Sequence, residues 1–486
     1  ISPGILIDAW PIIAATVCKI VNQSLKESMP EDLKTATVVP VPKVNQPKIP
    51  EDYRPINMLP TLEKLIETVV KNQIVEYIEE NNLLSKFQSG YREHHSCETS
   101  LNLVLTKWKD IKDSGDDILA IFLDLKRAFE TIDRKRLLAK LSTFGFSPTV
   151  VRWFKGYLKD RCQQTKANGS VSCKLKNELG VPQGSVLGAI LFILYINDMP
   201  SQLHEAFINL FADDTLIYLH GKNIDVMRDQ MNREMERISQ WLRRNKLKLN
   251  VNKTKLMVIK GSSVSTSTKS VTVDGEEIEM VKEFKYLGVM IDEKLSLKAN
   301  VDYLCKKVSK KVGVLCRLAK FITMAARVSI YKAIIAPHFD YCATLLYQCD
   351  EGSFDRMQKL QNRAMRAILM CKKRTPVRTM LQNLNMLNVR QRVRETTLKF
   401  IHKLKTGRLP GYLREMVQLK SDVHKYPTRS RNDFRVCKRK TQQAYNSVLN
   451  RGLIEFNSLP SEVKDEVCGE IFKFKLKSYL REMTTV

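Results

Sequence analysis

Apolar residues along this chain change their period several times, and each change marks an element. Over 1–35 they recur at helical spacing (Ile12, Ile13, Val17, Ile20, Val21, Leu25), which predicts a helix. Thr37 to Lys43 and Tyr53-Arg54-Pro55-Ile56 read as extended segments around a Pro-rich polar loop, a long hairpin carrying Lys43 and Arg54. Helical period returns over 61–80, with Leu62, Leu65, Ile66, Val69, Val70, Ile74 and Ile78 on one face. A glycine loop, Phe87 to Arg92, and a helix over 96–112 follow. Ile118 to Leu123 is an unbroken apolar run, the pattern of a strand covered on both faces, and it ends on Asp124.

Further on, Asp133 and Gly145 bracket a helix, and Ser147-Pro148 opens another to about Arg161. Asn168-Gly169 joins two polar strands within 163–178. Gly180-Val181-Pro182-Gln183-Gly184-Ser185 leads into an apolar helix over 186–197. The apolar runs 207–210 and 216–219 are too short for helices and predict a hairpin tipped by Phe211-Ala212-Asp213-Asp214-Thr215. A helix over 223–244 turns Val226, Met227, Ile238, Trp241 and Leu242 inward. A strand over 255–260, a Ser/Thr-rich loop over 262–270 and an Asp274-Gly275 turn come next. Phe284 to Ile291 reads as one strand with Gly288 in its interior, and from 293 the pattern is helical to the end.

Composition adds a partner. The chain has 486 residues, 43% of them hydrophobic, enough for two to four domains with real cores. Its net charge of +28 points to a polyanion, most often nucleic acid, with an anionic membrane surface as the competing reading. Residues 371–450 hold 20 Lys and Arg against 4 Asp and Glu, a net of 20 − 4 = +16. Such one-sided charge is a solvated face or a phosphate-binding surface. The longest apolar run, Ala189 to Ile196, is too short to span a bilayer, and the basic tail shows no strong aromatic-apolar helix face, so no membrane partner is expected. Eleven cysteines without C-x-x-C pairs or zinc spacing suggest reduced thiols in an intracellular protein.

The chemistry rests on three acids. An acid closing a buried strand is costly unless it is solvated, paired or metal-bound. An isolated Asp-Asp pair is most often a solvated turn. If the strands ending at Asp124 and flanking Asp213-Asp214 are neighbours, the three carboxylates converge. Such a cluster can hold two Mg²⁺ about 4 Å apart for in-line phosphoryl transfer. Lys43 and Arg54 could then grip a triphosphate, and Lys253 could donate a proton to the leaving group.

Taken together, these motifs resemble the reverse transcriptase family. Phe122-Leu123-Asp124-Leu125-Lys126-Arg127-Ala128-Phe129, Gly180 to Gly188 and Phe211-Ala212-Asp213-Asp214 are similar to its first three palm motifs. Asn252-Lys253-Thr254 and Phe284-Lys285-Tyr286-Leu287-Gly288 resemble the later palm motifs, the last being the primer grip. Pro42-Lys43, Tyr53 to Ile56 and Gln88 to Arg92 resemble the fingers motifs. The style is that of non-LTR, jockey-like retrotransposons.

The resemblance implies an α+β right-hand polymerase. It has fingers with an N-terminal extension (1–117) and a ferredoxin-like palm (118–292, with part of the fingers inserted at about 134–180). A helical thumb (293–372) and a basic, mainly helical C-terminal region (373–486) follow. Asp124, Asp213 and Asp214 would be the catalytic and metal-binding acids, with Leu125 in the metal set and Mg²⁺ (or Mn²⁺) as the cofactor. Phe129 would lie under the incoming sugar and exclude a 2′-hydroxyl, with Gln183 and Gly184 along template and nucleotide. The implied partners are an RNA template, a DNA primer or target, and dNTPs. Copying would occur in the nucleus and particle assembly in the cytoplasm, with Lys438-Arg439-Lys440 as a candidate nuclear address. Glu130 stands where the family more often has Asp. With Ile1 first and no targeting segment before it, the chain reads as a fragment of something longer, and with no endonuclease, zinc knuckle or ribonuclease H pattern it alone should not nick a target. The alternative is an inactive RNA-binding protein on the same fold.

Overall fold

The computed structural model describes residues 3–261, 270–423 and 430–482. The Ser/Thr-rich loop expected over 262–270 lies, apart from Ser270, outside the described residues. The chain opens with helices α1 (Pro3–Asp8) and α2 (Trp10–Lys26), then strands β1 (Thr35–Pro42) and β2 (Tyr53–Met58) and helices α3 (Thr61–Glu80) and α4 (Cys97–Asp113). Strands β3 (Asp117–Leu123) and β4 (Leu125–Lys126) precede helices α5 (Arg134–Thr143) and α6 (Pro148–Leu158). Strands β5 (Cys162–Ala167), β6 (Ser170–Val171) and β7 (Leu175–Lys176) lead to helix α7 (Gly188–Tyr195). The hairpin β8 (Phe207–Phe211) and β9 (Asp214–Gly221) is followed by α8 (Ile224–Arg244), β10 (Lys248–Leu249) and β11 (Lys255–Ile259). Short strands β12 (Thr272–Val273), β13 (Glu276–Glu277), β14 (Glu279–Met280), β15 (Glu283–Tyr286) and β16 (Val289–Asp292) end the β-rich half. Helices α9 (Lys298–Leu318), α10 (Met324–Ile330), α11 (Ala336–Asp340), α12 (Ala343–Leu346), α13 (Glu351–Leu369), α14 (Val377–Leu384), α15 (Val389–Lys405) and α16 (Gly411–Arg414) follow, with further helices beyond, the last over Gly469–Glu482.

The central sheet has the order β14-β11-β3-β9-β8. Strand β3 sits in the middle and is buried at every position, which is why its run is apolar without alternation. Its two faces feed two different cores. Leu119, Ile121 and Leu123 pack with Met227, Met231 and Met235 of α8, while Ile118, Ala120 and Phe122 pack with Leu101, Leu105 and Trp108 of α4. A second sheet joins β1 antiparallel to β2 and parallel to β5.

Three elements differ from the sequence reading. The apolar run 284–291 is a hairpin of β15 and β16, not one strand. Leu287 and Gly288 make its turn at φ +44 and +79, and the unbroken apolar run hid that reversal. The Tyr341 hydroxyl donates to the Leu287 carbonyl (2.8 Å) and fixes the turn from α11's C-terminal edge. Helix α7 begins at Gly188, and Ser185 Oγ accepts from the Gly188 N–H (2.8 Å) just before it. Val226 is exposed, because α8 buries Ile224, Met227 and Met231 instead.

On α3 the buried stripe runs through two acids, Glu63 and Glu67, alongside Ile66, Val70, Ile74 and Ile78. Arg161 pairs with Glu63, the Tyr157 hydroxyl donates to Glu67, and Glu67 Oε2 also accepts from the Val186 N–H (2.8 Å). Burial raises the proton affinity of both carboxyls, opposed by Arg161 at Glu63 and by the Tyr157 hydrogen bond at Glu67.

Helix α15 belongs to two cores. Val389 and Val393 pack with α9 and α13, whereas Leu398, Ile401 and Leu404 pack with Leu453, Phe456 and Phe472. Much of the basic charge beyond 371 is spent internally: Arg390 pairs with Glu351, Arg392 with Asp340, Arg394 with Glu455 and Arg439 with Asp110. Lys372, Lys373 and Arg374 remain exposed. Among the described residues no helix is long and apolar enough to cross a membrane.

Candidate active site

Three acids meet at one end of the central sheet. The β8–β9 hairpin closes through a two-residue turn, Ala212-Asp213, with Phe211 paired to Asp214. Ala212 takes φ +54, a left-handed conformation that costs about 1 kcal/mol for a side chain with a Cβ. Leu123 pairs with Thr215, so one rung further Asp124 comes opposite Asp214. Directly opposed residues in an antiparallel pair lie roughly 5 Å apart between Cα atoms.

The electrostatics agree with that register. Asp214 is pushed up to about 6 by loss of surrounding water and by the charges of Asp213 and Asp124. Asp213 is raised by the same desolvation and by Asp124, with Arg54 pulling it back. Both carboxylates still reach solvent, so the protein packed beneath them, not full enclosure, is what strips their hydration. Among the described residues no three His, Cys, Asp or Glu side chains close into a metal cage. Like charges splay apart, and Mg²⁺ commonly takes waters and substrate phosphates beside one or two carboxylates.

Two side chains hold these acids, Gln88, named above only within a fingers motif, and Asn250, which the sequence reading does not single out. Gln88, buried in the loop before α4, accepts at Oε1 from the N–H groups of Ala212 (3.0 Å) and Gly90 (2.7 Å). Around it, Ser89 N donates to the Leu210 carbonyl (2.8 Å) and Leu210 N to the Phe87 carbonyl (2.9 Å). A Cβ at Gly90 would collide with the Ala212 nitrogen, so only glycine lets this loop lie under the turn. Asn250 Nδ2 donates to Asp124 Oδ2 (2.8 Å), and its N–H donates to the Asp124 carbonyl (2.8 Å). Buried Thr254 accepts from the Asp124 N–H (3.2 Å).

The expected fingers groups fall nearby to different degrees. Val41 pairs with Arg54 and Pro42 with Tyr53, so the hairpin carries Lys43 and Arg54 side by side, both exposed. Arg54 acts on Asp213; Lys43 Nζ instead donates to the Glu51 carbonyl (3.1 Å). The Gly180–Ser185 loop lies between this hairpin and Phe129. Asn57 N donates to the Gln183 carbonyl (2.8 Å), and Val181 N to the Phe129 carbonyl (3.0 Å). Gly184, at φ +109, presses on the Asn57 carbonyl where a Cβ has no room. Gln183 Nε2 donates to Glu130 Oε1 (3.3 Å), a contact for the residue that departs from the family pattern. Phe129 is half-buried and stacks on Phe192 (centroids 4.5 Å apart), leaving part of its ring accessible.

Lys253 is exposed on the turn that follows Asn250. Leu125 pairs with Leu249 and buries its side chain, so only its backbone carbonyl could serve a metal.

Residues 41–291 match the profile of the family described as reverse transcriptase (RNA-dependent DNA polymerase). The probable RNA-directed DNA polymerase from transposon BS of Drosophila melanogaster is 26% identical over 83% of this chain and 47% of its own length. The RNA-directed DNA polymerase from mobile element jockey of the same fly is 25% identical over 70% of this chain and 38% of its own length. The chain thus spans about half or less of the length of these curated relatives. Apo telomerase from Candida tropicalis aligns over 79% of this chain and 68% of its own, at 12% identity and a TM-score of 0.43.

Proposed function

Since the chain belongs to the reverse transcriptase family, we propose that it is the RNA-directed DNA polymerase portion of a jockey-like, non-LTR retrotransposon protein. The observation that carries this reading is the register that sets Asp124 opposite Asp214 beside Asp213, with the Asp213 and Asp214 carboxyls raised and Arg54 acting on Asp213. Hard carboxylate oxygens with uncompensated charge fit Mg²⁺, and Mn²⁺ as a substitute. When bound to Asp124, Asp213, Asp214 and the Leu125 carbonyl, two such ions would supply activation of a primer 3′-hydroxyl and neutralisation of the leaving pyrophosphate.

The protein's own groups do the rest. Asn250 and Gln88 hold the acids in place. Arg54 and Lys43 bind the dNTP triphosphate on the β1–β2 hairpin. Phe129 lies against the sugar and excludes a 2′-hydroxyl, and Gln183 and Gly184 line the template and nucleotide. Lys253 supplies a proton to the departing group. The substrates are an RNA template, a DNA primer or target, and dNTPs. The working division is fingers 1–117, palm 118–292, thumb 293–372 and basic region 373–486. Copying into a chromosomal target would take place in the nucleus and assembly with RNA in the cytoplasm.

The test is extension of a DNA primer annealed to RNA, with dNTPs and Mg²⁺. Incorporation that disappears in Asp213→Asn supports the reading. Incorporation unchanged by that substitution rules it out.

A further inference from the structure

At the other end of the central sheet lies a cavity of about 670 Å³ with a different character. The acids sit where β3 ends; this cavity sits where β3 begins. Ile259, the last residue of β11, pairs with Ile118, and Gly261 N donates to Asp117 Oδ1 (2.7 Å), so Lys260 comes to the opposite edge. Strand β3 spans seven residues, so about 20 Å separates the two ends.

Five cations line this cavity: Lys112, Arg228, Lys260, Lys282 and Lys294, against one acid, Glu293. They come from α4, α8, the end of β11 and the segments flanking the β15–β16 hairpin, so folding brings them together from four parts of the chain. Arg228 is more than nine-tenths buried, yet no hydrogen bond or ion pair meets its guanidinium among the described residues, and its Nε is wholly enclosed. The two Nη groups are not enclosed in this way, and they are the atoms of the guanidinium that a phosphate in the cavity can reach. Lys112 Nζ donates to the Lys294 carbonyl (3.4 Å), and burial with the charge of Lys294 lowers its proton affinity, partly offset by Asp292. The floor is apolar, from Ile224 and Val258. Cations around an apolar floor suit a nucleotide unit, phosphate outward and sugar or base inward.

We propose that this cavity is a second nucleic-acid site, which holds a phosphodiester of a single-stranded segment on Arg228 and the four lysines, away from the acids. The shared chemistry is phosphate, which a free polyphosphate could also supply. The site does not depend on the polymerase reading, because binding is measured without dNTPs and in an Asp213→Asn background.

The test uses the full chain and a labelled 20-nucleotide single-stranded RNA containing 4-thiouridine. Lys282→Ala/Lys294→Ala alters two exposed side chains that the fold tolerates, and Arg228→Gln removes the buried charge. Each lost phosphate contact should flatten the log–log salt dependence by about 0.7. The double variant should bind several-fold more weakly near 0.1 M salt with an unchanged melting temperature. Photocrosslinks to the 279–282 segment should appear in the parent and vanish in the variant. Unchanged affinity and salt slope without such crosslinks overturn the proposal. Sodium tripolyphosphate raising the melting temperature of the parent but not of the double variant, with RNA binding unaltered, overturns the strand assignment in favour of a free phosphate ligand.

Discussion

Gln88 and Ala212 lie 124 residues apart, and one hydrogen bond, from the Ala212 N–H to Gln88 Oε1, ties the glycine loop to the turn that carries the acids. The same oxygen accepts from Gly90, so one amide satisfies two buried donors. Gln88→Met keeps the volume and orphans both N–H groups at about 1–3 kcal/mol each. Primer-extension kcat is expected to fall roughly 10- to 100-fold, with the cooperative thermal transition retained. An undiminished kcat would show that the turn holds itself.

Asn250 offers a second test. Its amide donates to Asp124 Oδ2, and Asn250→Asp would set two carboxylates against each other. Asn250→Asp should cost more activity than Asn250→Ala, roughly 100-fold against 10-fold, since a repelling pair adds to the lost hydrogen bond. Extra Mg²⁺ should recover part of the Asp variant's loss. Equal defects in the two variants would remove the positional role.

Acid pH should stop the reaction through Asp214. Its carboxyl, raised to about 6, must be ionised to bind a divalent cation, so activity should decline as pH falls through 6. Stability runs the other way. The folded state holds this proton more tightly than the unfolded chain, so the carboxylate penalises the fold above pH 6, and the penalty fades between 6 and the ordinary aspartate value. Asp214→Asn should therefore raise the melting temperature of the metal-free protein at pH 7.5, and the gain should shrink toward pH 4. Melting curves at both pH values check the sign.

The pair Glu63–Arg161 is expected to be the most sensitive point outside the site. Their side chains are 0% and 3% exposed. Arg161→Met leaves Glu63 buried without a partner, at about 3–5 kcal/mol. Denaturant titration should show that loss, while Glu63→Gln/Arg161→Met should restore much of it.

The sequence reading reached the acids because Asp124 ends a continuous apolar run and Asp213-Asp214 separate two short ones, and a buried strand that stops on a carboxylate is visible without a structure. It reached α3 and α4 almost to the residue for the same reason: period and caps are local. Gln88 and Asn250 escaped it, since hydrogen bonds across 124 and 126 residues leave no mark on any local pattern. The Leu287-Gly288 turn escaped because both flanking strands are apolar and no Asn or Asp announces the reversal. Glu63 and Glu67 are not among the buried positions expected on their helix, and Arg161, Tyr157 and the Val186 N–H account for their burial.

Rooting α15 in two cores has a mechanical consequence. The helices of 298–384 and the described helices after 398 are joined by that shaft, so a displacement of one would carry the other with it as a single lever. The chain enters the lever through Leu295 and Leu297, which take φ +56 and +59 just before α9. At the lever's far side the Tyr412 hydroxyl lies 3.1 Å from Ser89 Oγ, next to Gln88. A rotation that accommodates a bound duplex would therefore pull on the strut beneath the acids, linking grip on the product to readiness for the next addition.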